Sequence, residues 1–483
     1  VSEALWEAVA FRERAQADLL VAARLARHSI PFRRRRLRAP RAPPAPTALL
    51  SPTRSYTGPM DHGASDHDAG GPNGHGPRAS DDQSPVVTVL ERIRDEVAPR
   101  HEGRVADFIP ELAGADPDAF GIAAVSAHGR CYSAGDDGAA FTVQSMSKPF
   151  VYAMAIEERG LDDVHRHVGA EPSGEPFNAI SLDSQGRPEN PMINAGAIVT
   201  TSLVHGTGPE GRFERIRAAL SSFAGRSLSL DEDVYLSEAE TGHRNRALGY
   251  LSLAGGVLEG SVEEAVQDYF RQCALSVTVL DLAVMAATLA SGGVNPVTGA
   301  QVVSRRTARH TLSVMSSCGM YDRAGEWALR VGIPAKSGVS GGILAAAPGS
   351  FGVGVFSPPL DGAGNSVRGV AALERLSEDY DLHMLRIPSE PPSPVHSLTR
   401  AGGTLDVHLR GDIDFLAAEQ VVSRLEEAVD DARITSVTVE LERVSGLSEA
   451  ARSLLTAELD ELDGAGVEAS MTDPAGVQDD EDA

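Results

Sequence analysis

Ser145 and Lys148 stand three residues apart in the stretch Phe141-Thr-Val-Gln-Ser-Met-Ser-Lys148. In a helix that spacing places the hydroxyl and the amine on one face of the first turn. A serine alcohol is a poor nucleophile until a neighbouring base takes its proton. A lysine amine becomes that base when burial, or the positive potential of a helix N-terminus, lowers its pKa. The pair is therefore a candidate nucleophile and base for acyl transfer through a covalent intermediate, an arrangement known for Ser-x-x-Lys. The tetrapeptide alone is common on surface helices, so the reading rests on what accompanies it.

Asn190 and Asn194 are polar amides beside an apolar segment, and each either caps a helix or reads a ligand amide or carboxylate. Glu238 and Asn245 are seven apart, so they share a face if their segment is one helix. His243 lies between them as a possible general base, but a lysine base is already present and a histidine in a charged helix is ordinarily exposed. Tyr269 stands out in a chain with 8 tyrosines. Lys336-Ser-Gly338, followed by Val339 and Gly341-Gly342, reads as a strand edge beside a loop where backbone approaches a ligand closely. Backbone N–H groups of Val339 and Ser145 together can form an oxyanion hole. Lys336 is either an electrostatic residue of the site or a structural one.

Hydrophobic period supplies the elements that position these groups. A helix is expected from residue 86, with Val86, Val89, Leu90, Ile93 and Val97 on its apolar face. Strands follow over 120–125, from Arg130 and over 141–143, a meandering antiparallel sheet that hands over to a helix at 146–158. Helices are expected from about Ala197, over 210–225, 251–258, 262–269, 277–289 and 306–318. Strands over 343–347 and 350–356 rejoin the first sheet around a central helical cluster, giving a mixed α/β arrangement.

The formal net charge of −25 disfavours nucleic acid or an anionic membrane surface as a general partner. No apolar run approaches a membrane span. The 3 cysteines, Cys131, Cys273 and Cys318, show no C-x-x-C and no metal spacing, which favours a reducing cytoplasm. Residues 1–59 carry 11 arginines against 4 acidic residues, foreign to the acidic remainder. A helix fits 8–26, then a basic and Pro/Ala-rich run. The segment reads as a disordered extension, or as upstream sequence translated by mistake before Met60, more readily than as a basic binding tail. Residues 60–85, with His62, His67 and His75, have the composition of a linker. The whole of 1–85 is expected to be a leader outside the fold.

Taken together, the segments 105–113, 141–148, 190–198, Ser237-Glu238, Arg244-Asn245, 269–273, Gly319-Met-Tyr-Asp322 and 334–339 resemble the bacterial serine-dependent glutaminase family. They recur in family order across nearly all of 86–388. The resemblance implies an α/β (α+β), serine β-lactamase-like fold, penicillin-binding-protein-like, with a mixed sheet plus a helical cluster. It also implies hydrolysis of L-glutamine to L-glutamate and ammonia. Ser145 would be the nucleophile and Lys148 its base. Asn194, Glu238 and Asn245 would bind the amino-acid part of the substrate. Tyr269 and Tyr321 would line the site and assist proton transfer, and Val339 would contribute its backbone. No metal or organic cofactor is required, and a homodimer or homotetramer is expected. The chemistry agrees, since a glutamine α-ammonium needs a carboxylate such as Glu238. A penicillin-recognising hydrolase and a glutamine-sensing scaffold are the alternative readings.

Composition changes again after the proline-rich stretch near 388–394, leaving 389–398 as a linker. Residues 399–475 alternate strand, helix, strand, helix and a final strand, and resemble an anti-sigma-factor-antagonist (STAS) domain, with 476–483 as a tail. Such domains often carry Asp-Ser-Ser-Gly before the second helix. Here Gly446-Leu-Ser-Glu-Ala-Ala451 places Ala450 about where the phosphorylatable serine would be, with Ser448 a weak substitute. The expectation is a docking or regulatory module with a protein partner.

Overall fold

The computed structural model describes residues 84–480, apart from 108, 174–181, 207, 387–392, 430–433, 474–475 and 477–478. The helix expected over 8–26, the three leader histidines and the first part of the 389–398 linker lie outside the described residues.

Ser84 caps α1 (Pro85–Val97) by accepting from the Val86 N–H, and Pro85 fits the first turn, where no N–H is needed. The hairpin β1 (Gly121–Ser126) and β2 (Cys131–Gly135) follows. β3 (Phe141–Thr142) leads into a 3₁₀ turn, Gln144–Ser147, and α2 (Lys148–Arg159). A helical cluster comes next: α3 (Leu161–His167), α4 (Asn194–Leu203) and α5 (Gly208–Ala224), then the short β4 (Ser229–Leu230). α6 (Glu232–Thr241), α7 (His243–Ala254) and α8 (Val262–Cys273) lead to β5 (Leu275–Val277), α9 (Val279–Ala290) and α10 (Arg305–Cys318). The chain then passes a 3₁₀ turn at Tyr321–Arg323 and α11 (Ala324–Arg330). It returns through β6 (Ala335–Ser337), β7 (Gly342–Ala347), β8 (Phe351–Phe356) and α12 (Val367–Tyr380).

The central sheet has the order β2-β1-β8-β7-β6, and every pairing in it is antiparallel. Strand residues alternate between two cores, as a pleat requires. Ile122, Ala124, Ile343, Ala345, Val353 and Val355 face α1 and α12, whereas Ala123, Val125, Leu344 and Ala346 join the core of α2, α9 and α10. The return of β7 and β8 to β1 matches expectation. β3 departs from it: instead of extending the hairpin it pairs with β5, and β5 with β4, in a separate three-stranded sheet. The serine turn is therefore anchored in the helical cluster. The helix expected over 277–289 begins at Val279, behind a Thr278–Asp281 capping box, because Val277 closes the strand β5.

α9 lies directly on β8 because Gly352 and Gly354 have no side chains. A Cβ on Gly352 would come within 2.1 Å of Ala287 N and 2.3 Å of Ala283 O. Gly352→Ala is expected to destabilise the chain by roughly 1–3 kcal/mol, the range for overpacked cores. A urea denaturation midpoint equal to that of the parent would refute this packing.

The C-terminal sheet is the mixed one. β9 (Val395–Ala401) pairs antiparallel with β10 (Thr404–Ile413). After α13 (Phe415–Val429), β11 (Ser436–Ser448) runs parallel to β10; after α14 (Glu449–Gly464), β12 (Glu468–Thr472) runs parallel to β11. Leu405, Val407, Leu409, Val437, Val439 and Leu441 bury against Val421, Leu425, Leu455 and Leu459 of the two helices, forming a core of their own. β9 escaped the sequence reading because it is mostly exposed and carries little apolar alternation. Within the stretch expected as a tail, Asp479–Asp480 (β13) pairs with β11.

Candidate active site

The serine turn is strained and buried. Gln144 has φ +47°, a left-handed conformation unusual for a residue with a Cβ. Ser145 follows it inside the 3₁₀ turn and not on the α-helix proper, while Lys148 is the first residue of α2. Even so, Lys148 Nζ lies 2.7 Å from Ser145 Oγ. Lys148 has no solvent exposure, and this burial pushes its ammonium down to about 8, with Cys273 and Glu238 opposing the shift. A neutral amine in contact with a hydroxyl is what proton abstraction from serine requires.

Three distant segments converge on this pair. Asn194, the first residue of α4, accepts at Oδ1 from Lys148 Nζ (2.8 Å) and from the Tyr269 hydroxyl of α8 (3.2 Å). Its amide donates to Asn245 Oδ1 of α7 at 3.0 Å. Asn194 therefore belongs to the site, whereas Asn190 folds its own loop by bonding to Met192 N and Glu171 O. Lys148 Nζ also lies 5.9 Å from the centre of the Tyr269 ring.

The one-helix argument for Glu238 and Asn245 does not hold. The segment breaks at Gly242 into α6 and α7, and a Cβ there would strike the Phe270 ring at 2.3 Å. Glu238 nevertheless comes near the pair from the end of α6, close enough to interact with Lys148. It is buried, its Oε2 has no hydrogen-bond partner, and burial pushes its pKa up to about 8 despite the Lys148 charge. His243 is exposed at the start of α7 and takes no part.

The remaining wall comes from the C-terminal half of the sheet. Tyr321 has φ +56°, bonds to Ser145, and donates to the Ser337 carbonyl at 3.1 Å. Lys336 Nζ donates to the Gly319 (3.1 Å) and Ser337 (2.8 Å) carbonyls, 4.1 Å from the Tyr321 ring centre, and feels the Lys148 charge. It holds the tyrosine loop against the strand, and burial keeps its pKa well below the usual lysine range. Gly338 packs on the serine turn, since a Cβ there would meet Met146 at 3.0 Å and the Val143 carbonyl at 3.3 Å. Val339 is the next residue on that loop.

A buried nucleophile–base pair beside an unpaired carboxylate can attack an amide of a substrate that carries a cation. Sequence comparison gives the same direction. The glutaminase family's sequence model matches residues 103–385. The chain belongs to the glutaminase family. The glutaminase of Corynebacterium glutamicum is 43% identical over 395 residues, 81% of this chain and 95% of that protein. Glutaminase 1 of Bradyrhizobium diazoefficiens is 48% identical over 364 residues, 75% of this chain but 59% of that one, so the chain spans little more than half its length. The crystal structure of Mglu in its glutamate form superposes with TM-score 0.76 at 40% identity, covering 82% of this chain and 100% of that chain. The STAS domain model matches residues 397–477. In that domain Ser448 is the N-cap of α14, its hydroxyl accepting from the Ala451 N–H, and Ala450 lies in the first turn.

Among the described residues of this glutaminase-family chain, no group of three His, Cys, Asp or Glu side chains is placed to hold a metal, and no helix is long and apolar enough to cross a membrane. Sequence reasoning passed over a buried polar layer behind the serine: Ser147, Thr201 and Gln272. Helical spacing was the available signal, for Gln272 is three residues after Tyr269 and Thr201 seven after Asn194.

Proposed function

We propose that the chain hydrolyses L-glutamine to L-glutamate and ammonia through an acyl-enzyme on Ser145. The observation that carries this reading is the unpaired Glu238 oxygen beside the Ser145–Lys148 pair, which puts an acceptor for an α-ammonium next to a nucleophile. Neutral Lys148 takes the Ser145 proton as Oγ attacks the side-chain amide carbon. The oxyanion is received by the N–H groups of Ser145 and Val339. Collapse of the tetrahedral intermediate breaks the C–N bond, and the proton held by Lys148 leaves with ammonia. The Tyr321 hydroxyl, bonded to Ser145, assists that transfer. Water then attacks the ester carbon as Lys148 takes its proton, the acyl carbon–Oγ bond breaks, and Lys148 returns the proton to Ser145 Oγ as glutamate is released. Asn194 and Asn245 hold the amino-acid end with Glu238, and Tyr269 fixes Asn194.

In this reading 86–388 is the catalytic domain, and 399–475 is a STAS-like module that meets a regulatory protein partner. Three buried, unpaired cysteines support a cytoplasmic location. A homodimer or homotetramer belongs to the same reading. The test is ammonia release from L-glutamine by the purified chain, repeated with hydroxylamine. Interception of the acyl-enzyme yields the γ-hydroxamate of glutamate in competition with glutamate. Ammonia release with no hydroxamate at any hydroxylamine concentration would argue against the covalent route, and no ammonia at all would remove the activity.

A further inference from the structure

Ser147, Gln272 and Thr201 touch neither the nucleophile nor its base by any hydrogen bond above, yet Ser147, Gln272 and Thr201 have no solvent exposure. Ser147 Oγ lies 2.8 Å from the Gln144 carbonyl oxygen and 3.3 Å from Gln272 Nε2. Gln272 Oε1 lies 3.0 Å from Thr201 Oγ1. The distances and donor types give the proton order along this chain. A carbonyl oxygen only accepts, and it is a stronger acceptor than the Cys273 sulfur, so the single Ser147 hydroxyl proton goes to Gln144 at 2.8 Å. Ser147 can then only accept, and Gln272 must turn its N–H groups toward it and its oxygen toward Thr201. The Thr201 proton is shared with the Ala197 carbonyl at 2.8 Å. Each bond in such a line polarises the next.

The line ends on one particular peptide. The Gln144 carbonyl and the Ser145 N–H belong to the same planar unit, and the described chain has no cis peptide, so the two point in opposite directions. Holding the carbonyl on Ser147 aims the Ser145 N–H away from the Ser147 hydroxyl and strengthens it as a donor. This peptide follows directly on the left-handed Gln144, so it belongs to a strained turn that needs a restraint. The geometry points to Gln272 as a positioning residue for the oxyanion hole, acting through Ser147 on the peptide that carries the Ser145 N–H. The inference rests on the acyl-enzyme reading above. It also explains why one amide bridges α4 and α8, the helices that carry Asn194 and Tyr269, to the nucleophile turn.

Steady-state kinetics on the full chain tests it. A direct oxyanion donor is worth about 10²–10³ in kcat. Gln272→Met, similar in reach but without a donor, is expected to lower kcat roughly 10–100-fold, with KM for glutamine changed less than about threefold. Ser147→Ala should match it, and the double variant should be no worse than Ser147→Ala alone. In Gln272→Glu the buried acid can donate to Ser147 only while protonated. Its kcat divided by that of the parent should therefore fall as pH rises, the contributions of Lys148 and Glu238 cancelling in the ratio. Cys273, which contacts Ser147 and Tyr269, is kept protonated by burial and does not confuse that window. An active parent with Gln272→Met within twofold in kcat, a loss confined to KM, or a flat Gln272→Glu ratio would overturn this inference alone. A parent that releases no ammonia would overturn the acyl-enzyme reading, and this inference with it.

Discussion

Ser145→Ala is expected to lower ammonia release from L-glutamine by roughly 10⁴–10⁶-fold while leaving glutamine binding in place, as when a covalent nucleophile is deleted elsewhere. The asymmetry follows from the contacts. Asn194 stays fixed by Lys148, Tyr269 and Asn245, and none of those bonds involves the Ser145 hydroxyl. Glu238 keeps its unpaired oxygen for the substrate ammonium. Calorimetry should find glutamine affinity within about tenfold of the parent while the ammonia assay reads background. If both disappear in a folded variant, Ser145 is a binding residue and the acyl-enzyme is the wrong mechanism. If activity survives, another group is the nucleophile.

The second large effect is on pH. In the proposed mechanism the working forms are neutral Lys148 and ionised Glu238, and burial pushes both groups to about 8 from opposite sides. Below that value the lysine holds its proton and so does the glutamate, and both are the wrong forms. As pH rises, both wrong forms disappear together. The plot of log kcat/KM against pH should climb with a slope approaching 2 well below about 8 and flatten above it, as macroscopic steps of a coupled pair. In the substrate complex the bound ammonium keeps Glu238 ionised, so kcat should rise with a slope near 1. Glu238→Gln should reduce the kcat/KM slope to about 1 and lower its plateau roughly 100-fold. Lys148→Ala should lower kcat at least ~10³-fold and remove the rise in kcat. A profile flat from about pH 6 to pH 9 in the parent would contradict a buried lysine base.

Much of the central sheet was legible because it is written locally. β1, β2, β7 and β8 are short apolar runs bounded by turns, and Ser145 with Lys148 are neighbours within one turn whatever surrounds them. The amide and carboxylate were visible only as residue types. Seven-residue spacing suggested a shared face for Glu238 and Asn245, yet the helix breaks at Gly242, where the Phe270 ring occupies the space a side chain would need. That obstacle comes from α8 and has no trace within residues 236–247. Likewise β3 looks like a continuation of the hairpin until β5, far along the chain, takes its edge.

By itself the sequence determined the Ser145–Lys148 spacing, most of the helices, a change of composition near residue 390 and the family resemblance, since each depends on residue type and near-neighbour spacing. The tertiary structure decided what surrounds the pair. Asn194 meets Lys148 across 46 residues, Asn245 across 51 and Tyr269 across 75. The completeness of burial around Lys148 and Glu238, and with it their displaced pKa values, is likewise a property of packing. Residue spacing fixes which groups share a turn. Desolvation and convergence depend on elements that meet only when the chain is folded.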